Sequence, residues 1–357
     1  MNTDRRKFLA AGTALLSAAS LTEVEGQTAR KKYRLIATEE ACAFPDQFEA
    51  YRKLVAHPSN DDDVLMWKGF FNNKTLTRRL LDMGEERLSI MDKSGVDMHV
   101  LSLTAPGVQF FDADTATALA TSANDQMAEI IKKHPDRYAG LASFAPQDPK
   151  RAAKEIDRVM NKLKFNGLIV NSHTHGEYLD DPKFWPIFEA AVASKAAIYI
   201  HPRNLPPAAQ MLTRAKVNLW GPAWAFHTET GTHAMRLIVS GVFDQFPDLK
   251  IVIGHMGESL PFWVYRIDHF LAASLKRKPS EYIKSNFLIT TSGVNFHPTL
   301  KYCNEVLGAD NVMFAIDYPY MDTEESAQFM QTAPLAEADM EKITHGNAER
   351  IFHITAA

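Results

Sequence analysis

The chain has 357 residues, of which 46% are hydrophobic and 23% are charged, and this composition excludes a disordered chain and suffices for one large core. Its formal net charge is −4 and it has no long basic run, which argues against nucleic acid or an anionic membrane surface as a partner. Its two cysteines, Cys42 and Cys303, are too few for a disulfide framework.

The first segment reads "MNTDRRKFLAAGTALLSAASLTEVEGQ" and carries Arg5 and Arg6 ahead of a short apolar run. This pattern is typical of a twin-arginine export signal, and the run is too short and too rich in small residues to span a bilayer comfortably. We therefore expect residues 1–29 to be a cleaved signal and residues 30–357 to be a single catalytic domain. The mature protein would be periplasmic or otherwise extracytoplasmic, with no stable membrane anchor after cleavage.

Eight short apolar segments with β-forming residues follow. They are "RLIATEE" (34–40), "HVLSLT" (99–104), "YAGLASF" (138–144), "NGLIVNS" (166–172), "AIYIHP" (197–202), "KIVIGHMG" (250–257), "FLITTSG" (287–293) and "VMFAIDYP" (312–319). Most are separated by segments with apolar residues at three- and four-residue spacing, such as "TRRLLDMGEERLSIMDKSGV" and "KRAAKEIDRVMNKLKF", which predict helices with one buried face. Strand and helix in alternation, eight times over, predict an α/β fold, a (β/α)8 TIM barrel.

Two predicted loops are unusually long and rich in aromatic residues. They are residues 42–75 after the first strand and residues 203–226 after the fifth. They carry Trp67, Phe70, Phe71, Trp220, Trp224 and Phe226. Loops after strands build the active-site face of a barrel, so these rings either line the pocket of a planar ligand or cover the barrel as packing.

Ionisable residues stand at the ends of four predicted strands. Glu39 and Glu40 end the first strand, His201 the fifth, His255 the sixth, and Asp317 the eighth. Buried charges without partners would cost several kcal/mol, and a divalent cation would compensate them. Side chains alternate along a strand, so only one of the two glutamates can face the metal, and alternation does not say which one.

The sequence resembles the amidohydrolase-related decarboxylases, the group that contains 2,3-dihydroxybenzoate, γ-resorcylate and 5-carboxyvanillate decarboxylases. The resemblance rests on "NSHTHGEYLDDPKFWPIFE" (171–189), "GTHAMRLIVSGVFDQFPDLKIVIGHMGESLPFWVYRIDH" (231–269) and "AIDYPY" (315–320). It implies a barrel of the metal-dependent amidohydrolase type. The first-strand motif of the family is commonly Glu-x-His; here it is Glu39-Glu40-Ala41, as in the 5-carboxyvanillate branch, where the histidine is absent.

The resemblance implies that Glu39, His201 and Asp317 bind one metal ion. Two carboxylates and one imidazole favour Mn²⁺, with Zn²⁺ as an alternative. The implied reaction is non-oxidative decarboxylation of an ortho-hydroxybenzoate, a small aromatic acid that in some members carries a methoxy group, to carbon dioxide and a phenol.

The resemblance also implies roles for further residues. Asp317 would deliver a proton to the ring, with His255 beside the reacting group and Glu258 orienting its imidazole. Arg266 would pair with the substrate carboxylate, because a guanidinium binds carboxylates at two points. The remaining substrate contacts implied are Arg203, Phe226, Tyr320 and His173. The loop from Trp67 to Arg79 is shorter than in the 5-carboxyvanillate branch, where this region contributes a second substrate arginine; Arg78, Arg79 or Arg203 could substitute for that arginine.

Two other interpretations remain open at this stage. A hydrolase of esters or lactones could use the same barrel and metal, and an exported binding protein could retain the barrel without turnover.

The His-x-His spacing of His173 and His175 follows the fourth strand, which favours a pocket or loop contact over metal binding. Cys42 has no evident base and is not expected to be a nucleophile. We expect a homo-oligomer, a dimer or a tetramer.

Overall fold

A computed structural model describes residues Tyr33 to Thr355, and the predicted signal of residues 1–29 lies outside them. Eight parallel strands form one sheet in the order of the chain. They are β1 (Ile36–Cys42), β2 (Met98–Leu103), β3 (Tyr138–Ser143), β4 (Gly167–Val170), β5 (Ile198–Ile200), β6 (Ile251–Ile253), β7 (Phe287–Thr290) and β8 (Val312–Met313). The sheet closes on itself where Glu40 pairs with Tyr318 and where Thr38 N donates to Phe314 O over 3.1 Å. The predicted (β/α)8 barrel is confirmed.

Every strand residue is buried, because one side of the sheet faces the barrel interior and the other side faces the helices. Three predicted strands end earlier than the apolar pattern indicates. Ser172, His255 and Asp317 have positive φ angles of 50°, 50° and 75°, a conformation that a strand cannot continue. The predicted ends of the fourth, sixth and eighth strands are therefore turns that carry polar side chains.

Helices surround the barrel. They are α1 (Pro45–Val55), α2 (Asp62–Phe70), α3 (Lys74–Leu81), α4 (Glu85–Ser94), α5 (Ala113–Lys133), α6 (Pro149–Asn161), α7 (Trp185–Ala193), α8 (Ala225–Val239), α9 (Val242–Gln245), α10 (Leu260–Leu271), α11 (Pro279–Asn286), α12 (His297–Leu307), α13 (Thr323–Gln331), α14 (Glu337–Glu341) and α15 (Asn347–Ile351). Short 3₁₀ turns lie at Pro182–Phe184, Pro207–Thr213, Gly221–Ala223, Ala272–Ser274 and Ala309–Asn311, and a π turn lies at Lys342–Gly346. None of the described helices combines the length and the apolar character needed to cross a membrane.

The segment after β1 is not a loop. Residues 42–75 contain α1, α2 and the start of α3, and the side chain of Asp61 caps α2 by accepting the N–H of Asp63 over 2.9 Å. The single helix predicted over residues 77–96 is divided into α3 and α4. The division occurs at Asp82, whose carboxylate accepts the N–H of Gly84 over 3.1 Å and that of Arg87 over 2.7 Å. A side chain that offers the backbone an alternative to helical hydrogen bonds ends a helix in this way.

Candidate metal centre and active site

Four side chains converge at the carboxyl end of the barrel. Glu39, His201, His255 and Asp317 each offer one ligand atom, and these atoms all lie within 4.8 Å of one another. They come from β1 and from the turns after β5, β6 and β8. The three residues predicted to bind the metal are thus brought together, and His255 joins them as a fourth.

Glu39 is the buried anion of this cluster. Its Oε1 lies 3.2 Å from His201 Nε2 and 3.6 Å from His255 Nε2, and it accepts no hydrogen bond of good geometry. Its Oε2 accepts hydrogen bonds from the hydroxyls of Tyr199, Thr290 and Ser292. Burial alone would raise the pKa of Glu39, but the charge of His255 and the close contact with His201 outweigh burial and bring the pKa to about 2. Glu39 is therefore ionised, with one oxygen aimed at the centre of the cluster.

Both histidines are oriented by a contact at Nδ1. His201 Nδ1 lies 2.7 Å from Pro202 O, which makes Nδ1 the protonated nitrogen and leaves Nε2 to face the cluster. His255 Nδ1 lies 2.7 Å from Glu258 Oε1, and its Nε2 lies 3.8 Å from Asp317 Oδ2. Burial lowers the pKa of His255, but Glu258 and Glu39 more than offset it, so the pKa is well above its ordinary value. The predicted pairing of His255 with Glu258 is present in the geometry.

Asp317 is the second carboxyl group of the cluster, and its pKa is shifted in the direction opposite to that of Glu39. Burial raises the pKa of its carboxyl group above the ordinary value, and the neighbouring His255 only partly opposes this. Its N–H donates to Glu39 O over 3.2 Å, which ties the eighth-strand turn to β1. A carboxyl group in this place is close enough to a ligand in the cluster to exchange a proton with it.

A cavity opens directly beside the four residues. Its walls are Met66, Phe70, Ala105, His201, Pro222, Phe226, His255, Asp317 and Tyr320. The two residues predicted to line a ring pocket, Phe226 and Tyr320, are both among them. Tyr320 is held by a contact of 2.6 Å between its hydroxyl group and that of Thr104. The cavity thus combines flat apolar walls with ionisable groups at one end, an arrangement that suits a small aromatic acid.

Three other predicted substrate contacts lie elsewhere. Arg203 is buried against Asp63, with Nε and Nη2 at 2.8 and 2.6 Å from Asp63 Oδ2. His173 contacts Asn204 O over 3.0 Å and does not line the cavity. Arg266 is exposed, and its Cζ lies 5.0 Å from the centre of the Phe270 ring. Both residues line a separate groove between α8 and α10. Within one chain, none of the three reaches the cavity.

The other arginines named from the sequence are also engaged, because Arg78 and Arg79 both pair with Glu86. Both cysteines are free and buried, and burial raises the pKa of each thiol to about 12. A thiol of that pKa is not a nucleophile at neutral pH, in agreement with the interpretation of Cys42.

Sequence reasoning missed the residues that hold Glu39 in place. Tyr199, Thr290 and Ser292 come from β5, from β7 and from just beyond it, and nothing in their local pattern distinguishes them from ordinary strand residues. Gly254 also escaped notice. A Cβ atom at this position would lie 2.6 Å from Glu39 Oε2, so only glycine leaves room for the carboxylate.

The donor set fits a divalent metal ion. Two carboxylates and two imidazoles converge, and one of the carboxylate oxygens is buried without a hydrogen bond. Fold and site together define a metal-dependent enzyme built on a (β/α)8 barrel, with its site on the face where such barrels carry their chemistry.

The chain belongs to the amidohydrolase family, whose model, described as Amidohydrolase, matches residues 56–354. A γ-resorcylate decarboxylase from Polaromonas sp. is 37% identical over 318 residues, which cover 84% of this chain and 98% of the relative. A second one, from a Rhizobium strain, is 38% identical over 298 residues, covering 80% of this chain and 91% of the relative.

Two solved structures of similar proteins are also those of decarboxylases. The 5-carboxyvanillate decarboxylase of Sphingomonas paucimobilis is 49% identical, with a TM-score of 0.88, over 90% of this chain and 99% of the other. The enzyme of that name from Novosphingobium aromaticivorans, complexed with manganese and 4-hydroxy-3-methoxy-5-nitrobenzoic acid, is 39% identical, with a TM-score of 0.86, over 90% and 96% of the two chains. These matches confirm the predicted enzyme class, a metal-dependent carboxy-lyase that decarboxylates hydroxybenzoates.

Proposed function

We propose that this protein decarboxylates an ortho-hydroxybenzoate carrying a single carboxylate, with one Mn²⁺ held by Glu39, His201 and Asp317. The main support for this proposal is that these residues and His255 converge at one end of a cavity with aromatic walls. The manganese bound in the Novosphingobium relative supports the choice of metal. Zn²⁺ is the alternative, because imidazole and carboxylate also suit it. The hydrolase alternative has no support among the relatives reported above, which are all decarboxylases.

The residues divide the chemistry among them. Bound Mn²⁺ would supply the positive charge that holds the phenolate and carboxylate oxygens of the substrate. Asp317 passes its carboxyl proton to the ring carbon that bears the carboxylate. The bond from that carbon to the carboxylate carbon then breaks, its electron pair restores the aromatic ring, and carbon dioxide leaves. His255, fixed by Glu258, stands beside the reacting carboxylate.

The restriction to one carboxylate follows from where the cations are. Within Tyr33–Thr355, no lysine or arginine lines the cavity. Arg203 is neutralised by Asp63, and Arg87 is buried behind β1, where it donates to Ala41 O over 2.7 Å. The cavity walls away from the four ionisable residues are Met66, Phe70 and other apolar groups. A second carboxylate placed there would be desolvated without a counter-charge, at a cost of several kcal/mol.

The test compares two substrates with the Mn²⁺-loaded protein. γ-Resorcylate has one carboxylate and 5-carboxyvanillate has two, and release of both carbon dioxide and the phenol is followed. We expect kcat/KM to be at least about tenfold higher for γ-resorcylate, because 1.4 kcal/mol of unpaired charge suffices for that ratio. Failure to release carbon dioxide from either substrate would refute the proposed reaction, whereas a preference for 5-carboxyvanillate would refute only the single-carboxylate restriction.

A variant tests the restriction directly. Phe70→Arg places a cation in the cavity wall and is expected to raise kcat/KM for 5-carboxyvanillate at least about tenfold relative to γ-resorcylate. Leu65→Arg is the matched control, because Leu65 lies on the same helix but is 39% exposed and does not line the cavity. An equal effect of both substitutions would show that the change acts through overall charge.

We also propose that the protein is a homo-oligomer, a dimer or a tetramer. The outer face of α10 exposes Phe262, Trp263, Tyr265 and Phe270, with 69%, 49%, 84% and 62% of their surface accessible. An apolar face of this kind is typical of an interaction surface. Light scattering coupled to size exclusion, on the wild type and on a Tyr265→Lys variant, measures the oligomeric state.

Export by the twin-arginine route is a further proposal, supported by Arg5, Arg6 and the apolar run that follows. Replacing both arginines by lysine should retain the protein in the cytoplasm, as measured by fractionation. Unchanged fractionation would refute this route.

A further inference from the structure

Glu40 is buried beside the metal centre but does not belong to it. It is fully inaccessible, and its side chain leaves β1 away from the four clustered residues. Its Oε1 accepts the backbone N–H of Ile316 over 3.0 Å, and its Oε2 accepts that of Tyr318 over 3.1 Å. The two oxygens of one carboxylate therefore hold the two residues that flank Asp317.

The backbone held in this way is not a regular strand. β8 ends at Met313, and Asp317 has a φ angle of +75°, a left-handed conformation that residues other than glycine adopt at a cost in free energy. Such a conformation persists only where the surroundings impose it. Among the described residues, neither the Ile316 nor the Tyr318 N–H donates to a backbone carbonyl, so Glu40 is the acceptor that satisfies both.

β1 is irregular next to the two adjacent glutamates. Ala37 pairs with His99 and Glu40 pairs with Leu101, so β1 has one more residue between these pairs than β2 has. A bulge of this kind bends a strand and changes the direction of its side chains. Here Glu39 contributes to the cluster while Glu40 reaches the chain after β8.

We infer that Glu40 is a positioning residue, whose two carboxyl oxygens fix the backbone on both sides of Asp317 and so aim the Asp317 side chain at the metal position next to Glu39. This inference rests on the proposed metal-binding role of Asp317. It explains the paired acids at the end of β1, since one binds the metal and the other holds a second ligand in place.

The test is Glu40→Gln, which keeps the size of the side chain but replaces one acceptor oxygen by an amide group that cannot accept. One flanking N–H then loses its partner. We expect the Kd for Mn²⁺, measured by electron paramagnetic resonance of the free ion, to rise about 10- to 100-fold. At saturating Mn²⁺ we expect kcat to fall at least about tenfold while KM changes less than about twofold, because Asp317 is misaligned as a proton donor but the substrate walls are intact.

Thr38→Val is the matched control. Thr38 Oγ1 donates to Phe314 O over 2.8 Å, so this variant removes a hydrogen bond between the same two chain segments without touching the flanks of Asp317. We expect it to lower the melting temperature but to leave the Kd for Mn²⁺ and kcat near their wild-type values. A Glu40→Gln protein with wild-type Kd and kcat would overturn the inference, as would a Thr38→Val protein with equal losses. Absence of Mn²⁺ binding by the wild type would instead refute the proposed metal site.

A second measurement applies if Glu40→Gln does not fold. Hydrogen exchange is followed in the wild-type protein for a peptide that spans residues 316–318, with and without Mn²⁺. Since Glu40 holds these amides without the metal, we expect slow exchange in both states. Rapid exchange that becomes slow only when Mn²⁺ is added would show that the metal organises this segment, and would overturn the role of Glu40.

Discussion

Two fully buried glutamates show how neighbouring residues decide the charge of an acid. Glu39 faces two imidazoles and has a pKa of about 2. Glu229 receives hydrogen bonds from Ser172 over 2.7 Å and Thr230 over 3.0 Å, and burial raises its pKa to about 8 because these hydrogen bonds and the charge of Arg203 only partly offset burial. Burial is the same for both residues, so the difference comes from the partners.

The raised pKa of Glu229 predicts a pH-dependent stability. In the unfolded chain the group loses its proton near pH 4.5, whereas in the folded chain it keeps the proton until about pH 8. The folded state therefore binds the additional proton between these values, and stability falls as the pH rises through that window. Glu229→Gln has no proton to lose at this position, so between pH 6 and 9 we expect the wild type to lose on the order of a few kcal/mol more stability than the variant.

Melting temperatures at pH 6, 7.5 and 9 measure this effect. Glu189→Gln is the control, because Glu189 is exposed and its replacement should leave the pH profile unchanged. Parallel profiles for the wild type and Glu229→Gln would contradict the prediction.

At the scale of elements, apolar periodicity predicted all eight strands but not where they end. Two of the strands that lead into the site are followed by residues with a left-handed backbone conformation, His255 and Asp317. No hydropathy pattern reveals this conformation. Convergence of the ionisable residues could be predicted, because the carboxyl ends of parallel strands meet at one face. Arg203 could not be placed from sequence, since its partner Asp63 lies 140 residues away.

The ion pair of Arg203 and Asp63 joins α2 to the segment after β5. Asp63 also accepts the N–H of Asn204 over 3.2 Å. These two segments supply the walls of the cavity, with Met66 and Phe70 from α2 and Phe226 from the start of α8. We therefore expect Asp63→Asn to destabilise the protein by about 3 kcal/mol, because it leaves a buried guanidinium without its counter-charge, and to raise KM severalfold.

Asp180→Asn is the control for the Asp63→Asn variant. Asp180 pairs with Arg236 at 2.8 Å, but the arginine side chain is 49% exposed, so its loss should cost less than about 1 kcal/mol. Thermal unfolding and substrate kinetics measure both variants. Equal losses of stability would show that burial does not decide the strength of these pairs in this protein.

At the scale of the whole molecule, the three proposed metal ligands come from β1 and from the turns after β5 and β8. A bound ion therefore joins parts of the barrel that are distant in sequence, and the unfolded chain cannot bring them together. Only the folded state binds the ion tightly, so metal binding adds directly to the free energy of unfolding.

This linkage predicts a dependence of melting temperature on metal concentration. After removal of metal with a chelator, adding Mn²⁺ above its Kd should stabilise the protein by about 1.4 kcal/mol for each tenfold increase in concentration, with no plateau in the melting temperature. Glu39→Gln removes the charged oxygen that faces both imidazoles and should abolish the response. Mg²⁺ should stabilise the protein less than Mn²⁺, because Mg²⁺ prefers oxygen ligands and one of the three proposed ligands is the His201 imidazole. A response that persists in Glu39→Gln would place the stabilising ion outside the cluster, whereas equal responses to Mn²⁺ and Mg²⁺ would show that the His201 imidazole does not bind the ion.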